Sequence, residues 1–210
     1  MPSARLTAAT RELAALDPVM LRLYEEHGVP KLATLTGRSR FEQLAESICY
    51  QQLAGKAAEA IWNRVRNTVD GDFTPEAVLG AGYDALRAAG FSNAKALSVL
   101  DLAAKVVDGT VRLDRIGRLD DEAVIAELVP VRGIGRWTAE MFLIFTLQRL
   151  DVWPVDDLGV RAGYAVAYDL VNMPMAKELV PLGDRYRPYR TLAAWYCWQA
   201  IIASRAKSPL

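Results

Sequence analysis

LVPVRGIGRWTAEMFLIFTLQRLDVWPVDDLGVRAG, residues 128–163, is the stretch on which the fold turns. Its first half reads as a helix end, a tight Gly133-Ile134-Gly135 turn and a new helix. Two glycines let the backbone take φ > 0 and let another backbone approach closely. The residues after them form an apolar-rich run from Arg136 to Leu150. Trp137, Met141, Ile144 and Phe145 fall there at i, i+4, i+7 and i+8, one helical face. Amides at such a helix start point outward, and the helix dipole adds partial positive charge. A phosphate fits there without any basic side chain. Arg132 and Arg136 flank the turn and could add charge. A plain helix–turn–helix corner would use the same glycines. The second half of the stretch is a proline-led turn that delivers Asp156 and Asp157 to another helix start.

Outward from that stretch, the signals are helical. Asp17-Pro18 opens a helix that stops near Gly28, and Pro30–Gly37 reads as a loop. Ser39 and Glu42 have the spacing of a capping box, with Phe41, Leu44, Ala45 and Ile48 as the buried face behind it. The helix breaks at Gln51–Gly55 and a second runs from Lys56 to about Asn67. Thr74-Pro75 starts a short helix, and Tyr83–Ala89 makes another that closes at Gly90. Ser92 caps a longer helix ending by Gly109, and Asp120 caps the one that leads into the glycine turn. Helices are then predicted from Asp157 to about Val171, briefly from Pro174, and from about Tyr189 to Ala203. The tail SRAKSPL is expected to fray. No alternating apolar run bounded by turns is present, so the expected fold class is all-α.

Composition narrows the function classes. The 210 residues carry Lys+Arg 25 against Asp+Glu 25, so attraction to a polyanion must come from local placement. Cys49 and Cys197 are too few for a disulfide scaffold or a four-cysteine iron–sulfur cluster. The first residues lack a signal-peptide core, and no apolar run is long enough to span a membrane. A soluble cytosolic protein is expected. His27, the only histidine, is expected at the surface near a helix end, and no histidine-based metal site or triad can form.

Several segments, in order, resemble one family. LVPVRGIGRWTAE resembles the hairpin of the helix-hairpin-helix DNA glycosylases, and VWPVDDLGV resembles their catalytic-aspartate segment. The spacing from Trp137 to Asp157 matches as well. More narrowly, the chain is similar to the 3-methyladenine DNA glycosylase II family from about Asp17 to Ala203. That span includes ICYQQLAGKAAEAIWNRV (48–65) and RPYRTLAAWYCW (187–198). The resemblance implies a central lobe at 41–150, a second lobe from 1–40 with 151–210, and an active cleft between them.

It also implies roles. Asp157 maps to the catalytic aspartate and Asp156 to its variable neighbour, expected to cap the helix. Trp137 and Trp198 match aromatic walls of the base pocket, though either tryptophan could equally sit in a core. Met141 stands where the family often has tyrosine. Bifunctional relatives place a nucleophilic lysine at the position of Trp137, so no Schiff base and no lyase activity is expected. Leu53 matches the side chain that plugs the duplex after a base is flipped, with Gln52 beside it and Lys56 near a phosphate. An ordinary interhelical turn is the plainer account of that break. Hairpin residues Arg132, Gly133, Ile134, Gly135 and Arg136 would contact DNA. The carbonyls of Val129, Val131 and Ile134 would hold a sodium or potassium ion, with no other cofactor required. The expected partner is double-stranded DNA containing alkylated bases, met by a monomer with no protein partner. The expected activity is hydrolytic release of alkylated purines such as 3-methyladenine. A glycosylase for deaminated or mismatched bases, a hairpin module that only binds DNA, and a helical scaffold with a structural glycine turn are the alternatives.

Overall fold

The computed structural model describes residues 3–32, 37–53 and 55–207. Among them the structure is all-helical. The helices are α1 (Ala4–Leu16), α2 (Pro18–His27), α3 (Arg40–Tyr50), α4 (Gly55–Arg66), α5 (Pro75–Ala88) and α6 (Asn93–Val107). They continue with α7 (Asp121–Leu128), α8 (Arg136–Met141), α9 (Leu158–Ala167), α10 (Ala176–Leu182) and α11 (Arg190–Lys207). No helix among the described residues is long and apolar enough to cross a membrane. Two compact units form, one drawn from Met1–Ala33 and Gln148–Leu210, the other from Thr34–Leu147.

Local chemistry sets most helix starts. Asp17, Ser39, Thr74, Ser92 and Asp120 each accept a backbone N–H of the first turn. Gly82, at φ +77°, breaks α5 into the two helical pieces the sequence predicts. The Ser39 box forms on one side only. Ser39 Oγ accepts the Glu42 amide, but the Glu42 carboxylate turns to Arg66 at 2.8 Å. An ion pair with a buried carboxylate outcompetes the return bond to the cap.

Three other expectations shift, and one helix has no counterpart among them. The opening residues form α1, capped by Ser3, with Ala9, Leu13 and Ala14 buried. The helix expected through Leu150 ends sooner: α8 passes into a π-helical turn at Phe142–Thr146. α9 stops at Ala167 and not near Val171. His27 is half-buried, with Nε2 3.7 Å from Glu26. Residues 33–36 of the expected loop, Ala54 in the interhelical break and residues 208–210 of the expected frayed tail lie outside the described residues, while α11 runs on to Lys207.

The first unit packs α11 against α9 and α2, around Leu13, Met20, Leu23, Leu192 and Tyr196. The second packs α3 against α4 and α6, with Trp62 edge-on to Phe73 and Phe41 stacked on the same ring. Each such buried side chain contributes roughly 1.5–3 kcal/mol.

Candidate active site and nucleic-acid interface

The first unit carries a carboxylate held at a helix start. Asp157 is the N-cap of α9, and its Oδ1 accepts the Val160 amide at 2.7 Å. The same oxygen accepts the Trp198 indole N–H at 2.9 Å. Two donors on one oxygen fix the plane of the carboxylate. Asp157 is buried to 9% exposure, whereas Asp156 is exposed. The cap is therefore Asp157 and not Asp156, a correction to the sequence assignment. Only the residue at the junction of turn and helix has its side chain over the free amides.

Glycines bring the tryptophan there. A Cβ on Gly159 would stand 2.9 Å from Trp198 Cδ1 and 3.0 Å from Asp157 Oδ1. A Cβ on Gly163 would meet the Cys197 carbonyl oxygen at 1.8 Å. α9 and α11 thus approach through glycine, and the approach sets the Trp198–Asp157 bond. Upstream, the 149–153 segment is stapled to the start of α11. Thr191 Oγ1 donates to Arg149 O at 2.7 Å and accepts the Val152 amide at 3.0 Å. Arg190 Nε donates to Asp151 Oδ1 at 2.7 Å. Sequence reasoning missed Gly159, Gly163, Arg190 and Thr191. The GxxxG spacing and the RT pair of RPYRT were the available signals.

The second unit carries the hairpin and the interhelical turn. Gly133 sits at φ +76°, which favours glycine, and a Cβ there would stand 2.5 Å from Ser98 Oγ. The Arg132 amide donates to Asp101 Oδ2 at 2.7 Å, and the Ile134 amide to Val131 O at 3.0 Å. These two amides are engaged within the chain. The Gly135 and Arg136 amides, at the start of α8, are of the kind a helix leaves without an internal acceptor. Burial works against the charge on Asp101, but the bonds from Lys105 and the Arg132 amide outweigh it and lower its pKa. The Arg132 side chain is exposed. Arg136 is paired with Glu122 on one side and donates from Nε to Glu140 Oε1 at 3.1 Å on the other. Its charge is met by two carboxylates of the chain. The Ile134 side chain is buried, so only its backbone is presented.

Trp137 is 40% exposed and Met141 half-buried, while Thr138, Ala139, Phe142, Leu143 and Ile144 fill the core. The Trp137–Met141 side of α8 is the outward side. At the interhelical break, Gln52 takes φ +57°, unusual for a non-glycine residue, and Leu53 is 37% exposed. A buried leucine in an ordinary turn does not describe this. Lys56 is exposed in the first turn of α4. Gln51, which sequence reasoning passed over, donates from Nε2 to Gly133 O at 3.0 Å and to Thr138 Oγ1 at 3.2 Å. No spacing rule signals a bond across more than eighty residues.

Residues 45–178 match the family described as "HhH-GPD superfamily base excision DNA repair protein". The chain belongs to the HhH-GPD superfamily. Over 198 residues it is 36% identical to DNA-3-methyladenine glycosylase 1 of Schizosaccharomyces pombe, covering 92% of this chain and 87% of that protein. Its fold matches that of the Schizosaccharomyces pombe 3-methyladenine DNA glycosylase Mag1 in complex with abasic DNA, with a TM-score of 0.81. The two are 34% identical across 92% of this chain and 96% of that one. A DNA-3-methyladenine glycosidase from Bacillus halodurans matches with a TM-score of 0.81 and 34% identity, over 91% of this chain and 88% of that one. The HhH-GPD match spans the hairpin, Trp137, Asp157 and the Gln51–Leu53 turn, but stops before Trp198. Among the described residues, no group of three or more His, Cys, Asp or Glu is placed to hold a metal ion.

Proposed function

We propose that this HhH-GPD protein is a DNA N-glycosylase that flips alkylated purines such as 3-methyladenine out of duplex DNA and removes them hydrolytically. The observation that carries the reading is Asp157, a carboxylate whose Oδ1 is fixed by the Val160 amide and the Trp198 indole. Relatives whose names are those of 3-methyladenine glycosylases support the substrate class.

Breaking the glycosidic bond develops positive charge on the sugar, as in glycoside hydrolysis. A fixed anion stabilises that charge and can orient or deprotonate the attacking water. An alkylated purine is itself cationic and leaves as a neutral base, so no second carboxylate is needed as acid. Trp137 offers an indole face to the cationic base, worth about 0.5–2 kcal/mol that an uncharged base does not gain. Met141 adds a soft apolar wall. Trp198 acts first as the donor that orients Asp157. Leu53 enters the space left by the flipped base, and Gln52 stands beside it. The Gly133–Arg136 backbone takes a phosphate, with Arg132 and Lys56 as nearby positive charges. Arg136, already paired twice, contributes its amide more than its charge. With tryptophan at position 137, no Schiff base forms, and the product is an abasic site. The carbonyls of Val129, Val131 and Ile134 suit a sodium or potassium ion bridging to phosphate. Val131 O already accepts the Ile134 amide and keeps a second lone pair for it.

The test is incubation with methylated duplex DNA, with released bases separated by chromatography and a hypoxanthine duplex run in parallel. Release of 3-methyladenine is expected. Release of hypoxanthine alone would shift the substrate to deaminated bases, and tight binding without release would leave a DNA-binding module. Borohydride should trap no covalent enzyme–DNA complex.

A further inference from the structure

α6 touches both the hairpin and the interhelical turn through one polar stripe. Lys95, Ser98 and Asp101 recur every third residue and so share a face. Lys95 Nζ donates to the carbonyls of Cys49 and Gln51, each at 2.7 Å. Ser98 Oγ backs Gly133, and Asp101 holds the Arg132 amide. Gln51 Nε2 closes the loop by bonding Gly133 O and Thr138 Oγ1. The turn and the hairpin are thus tied to the same helix and to each other.

Both Lys95 acceptors are carbonyls at the end of α3, where a helix leaves its last carbonyls without internal donors. Burial lowers the lysine's pKa, so the ammonium is held there in spite of its desolvation. The residue that follows is Gln52, at φ +57°. A non-glycine residue keeps that conformation when its surroundings over-determine it. Leu53 is next.

We infer that Lys95 is a positioning residue: by gripping the Cys49 and Gln51 carbonyls it holds the 51–53 turn in register with the hairpin, so that Leu53 meets the duplex where the hairpin has anchored a phosphate. The inference rests on the glycosylase reading. It separates two functions of one unit. Phosphate binding by the hairpin serves any duplex, whereas insertion at the turn serves only a site where a base is flipped.

The test compares the full-length wild type with Lys95→Met, Lys95→Arg and Leu53→Ala. Thermal melting, affinity for undamaged and for abasic duplex, and the fluorescence of 2-aminopurine beside the abasic site are read on each. Lys95→Met should bind undamaged duplex as the wild type does. Its preference for abasic duplex should fall roughly ten- to a hundredfold, the equivalent of one hydrogen bond to a charged group. The fluorescence change should shrink as it does in Leu53→Ala. Lys95→Arg, which keeps the donor, should restore part of both. An unchanged preference in folded Lys95→Met, or an equal loss on both duplexes as from a mere helix cap, would overturn the inference. If Lys95→Met does not fold, Gln51→Ala cuts the other tie. The same selective loss is expected there, and an unchanged preference would overturn the idea. A wild type that neither prefers damaged duplex nor releases base would overturn the glycosylase reading together with this one. A wild type that does both leaves the variants to judge Lys95 alone.

Discussion

Replacing Asp157 by asparagine separates two things this side chain does. As the N-cap of α9 it accepts the Val160 amide at 2.7 Å, and in the mechanism proposed above its charge stabilises the sugar as the glycosidic bond breaks. Asparagine keeps Oδ1 as an acceptor for Val160 and for the Trp198 indole, and it caps helices about as well as aspartate. Folding should therefore survive within a few tenths of a kcal/mol. The charge does not survive. Losing one fixed electrostatic stabiliser costs roughly 2.7–4 kcal/mol of barrier, or about a hundred- to a thousandfold in rate. Asp157→Ala removes both functions. It should lose the same rate and, in addition, the cap, about 0.5–2 kcal/mol, which lowers the melting temperature by on the order of 1–8 °C. Asp156→Asn, on an exposed residue that caps nothing, should change neither quantity. Single-turnover excision of 3-methyladenine and thermal melting, measured on all three, check this, since slow product release cannot then mask the chemistry. Excision within a few fold of wild type in folded Asp157→Asn would refute the electrostatic mechanism. Loss in Asp156→Asn instead would move the catalytic residue by one position. A melting temperature that falls equally in Asp157→Asn and Asp157→Ala would refute the capping argument.

Gly163→Ala places a methyl 1.8 Å from a backbone oxygen of α11 and should lower thermal stability by about 1–3 kcal/mol or more. Gly159→Ala meets side chains at 2.9–3.0 Å, so it should cost less stability but displace Trp198 and lower single-turnover excision. Gly133→Val strains a φ of +76° and collides with Ser98. It should weaken binding to damaged and undamaged duplex alike, with a gentle salt dependence in the wild type, about −0.9 in log–log slope per phosphate held. Trp137→Ala should melt close to wild type, since the ring is 40% exposed, yet lower excision of 3-methyladenine about two- to thirtyfold more than that of hypoxanthine. Equal losses on the two bases would mean the indole acts by shape.

What the sequence by itself determined is what neighbours along the chain decide. Ser39, Thr74, Ser92 and Asp120 cap helices because a side-chain oxygen reaches an amide two or three residues on, and Gly133 turns because a side chain would strain its φ. The order of the hairpin, the Gln51–Leu53 break and the aspartate pair was legible for the same reason, and so was the all-helical fold. Tertiary structure decided the rest. An apolar stripe at helical spacing looks the same whether it faces a core or a ligand, and α8 turns Trp137 and Met141 outward. Either of two adjacent aspartates could cap α9 until the turn at Pro154 put Asp157 at the junction. Arg136 looked like a charge for phosphate until Glu122 and Glu140 were placed beside it. The bonds from Trp198 to Asp157 and from Lys95 and Gln51 around the turn join residues more than forty positions apart. Local propensity carries no information about them. They exist only because α9 meets α11 through glycines and because α6 packs across the end of α3.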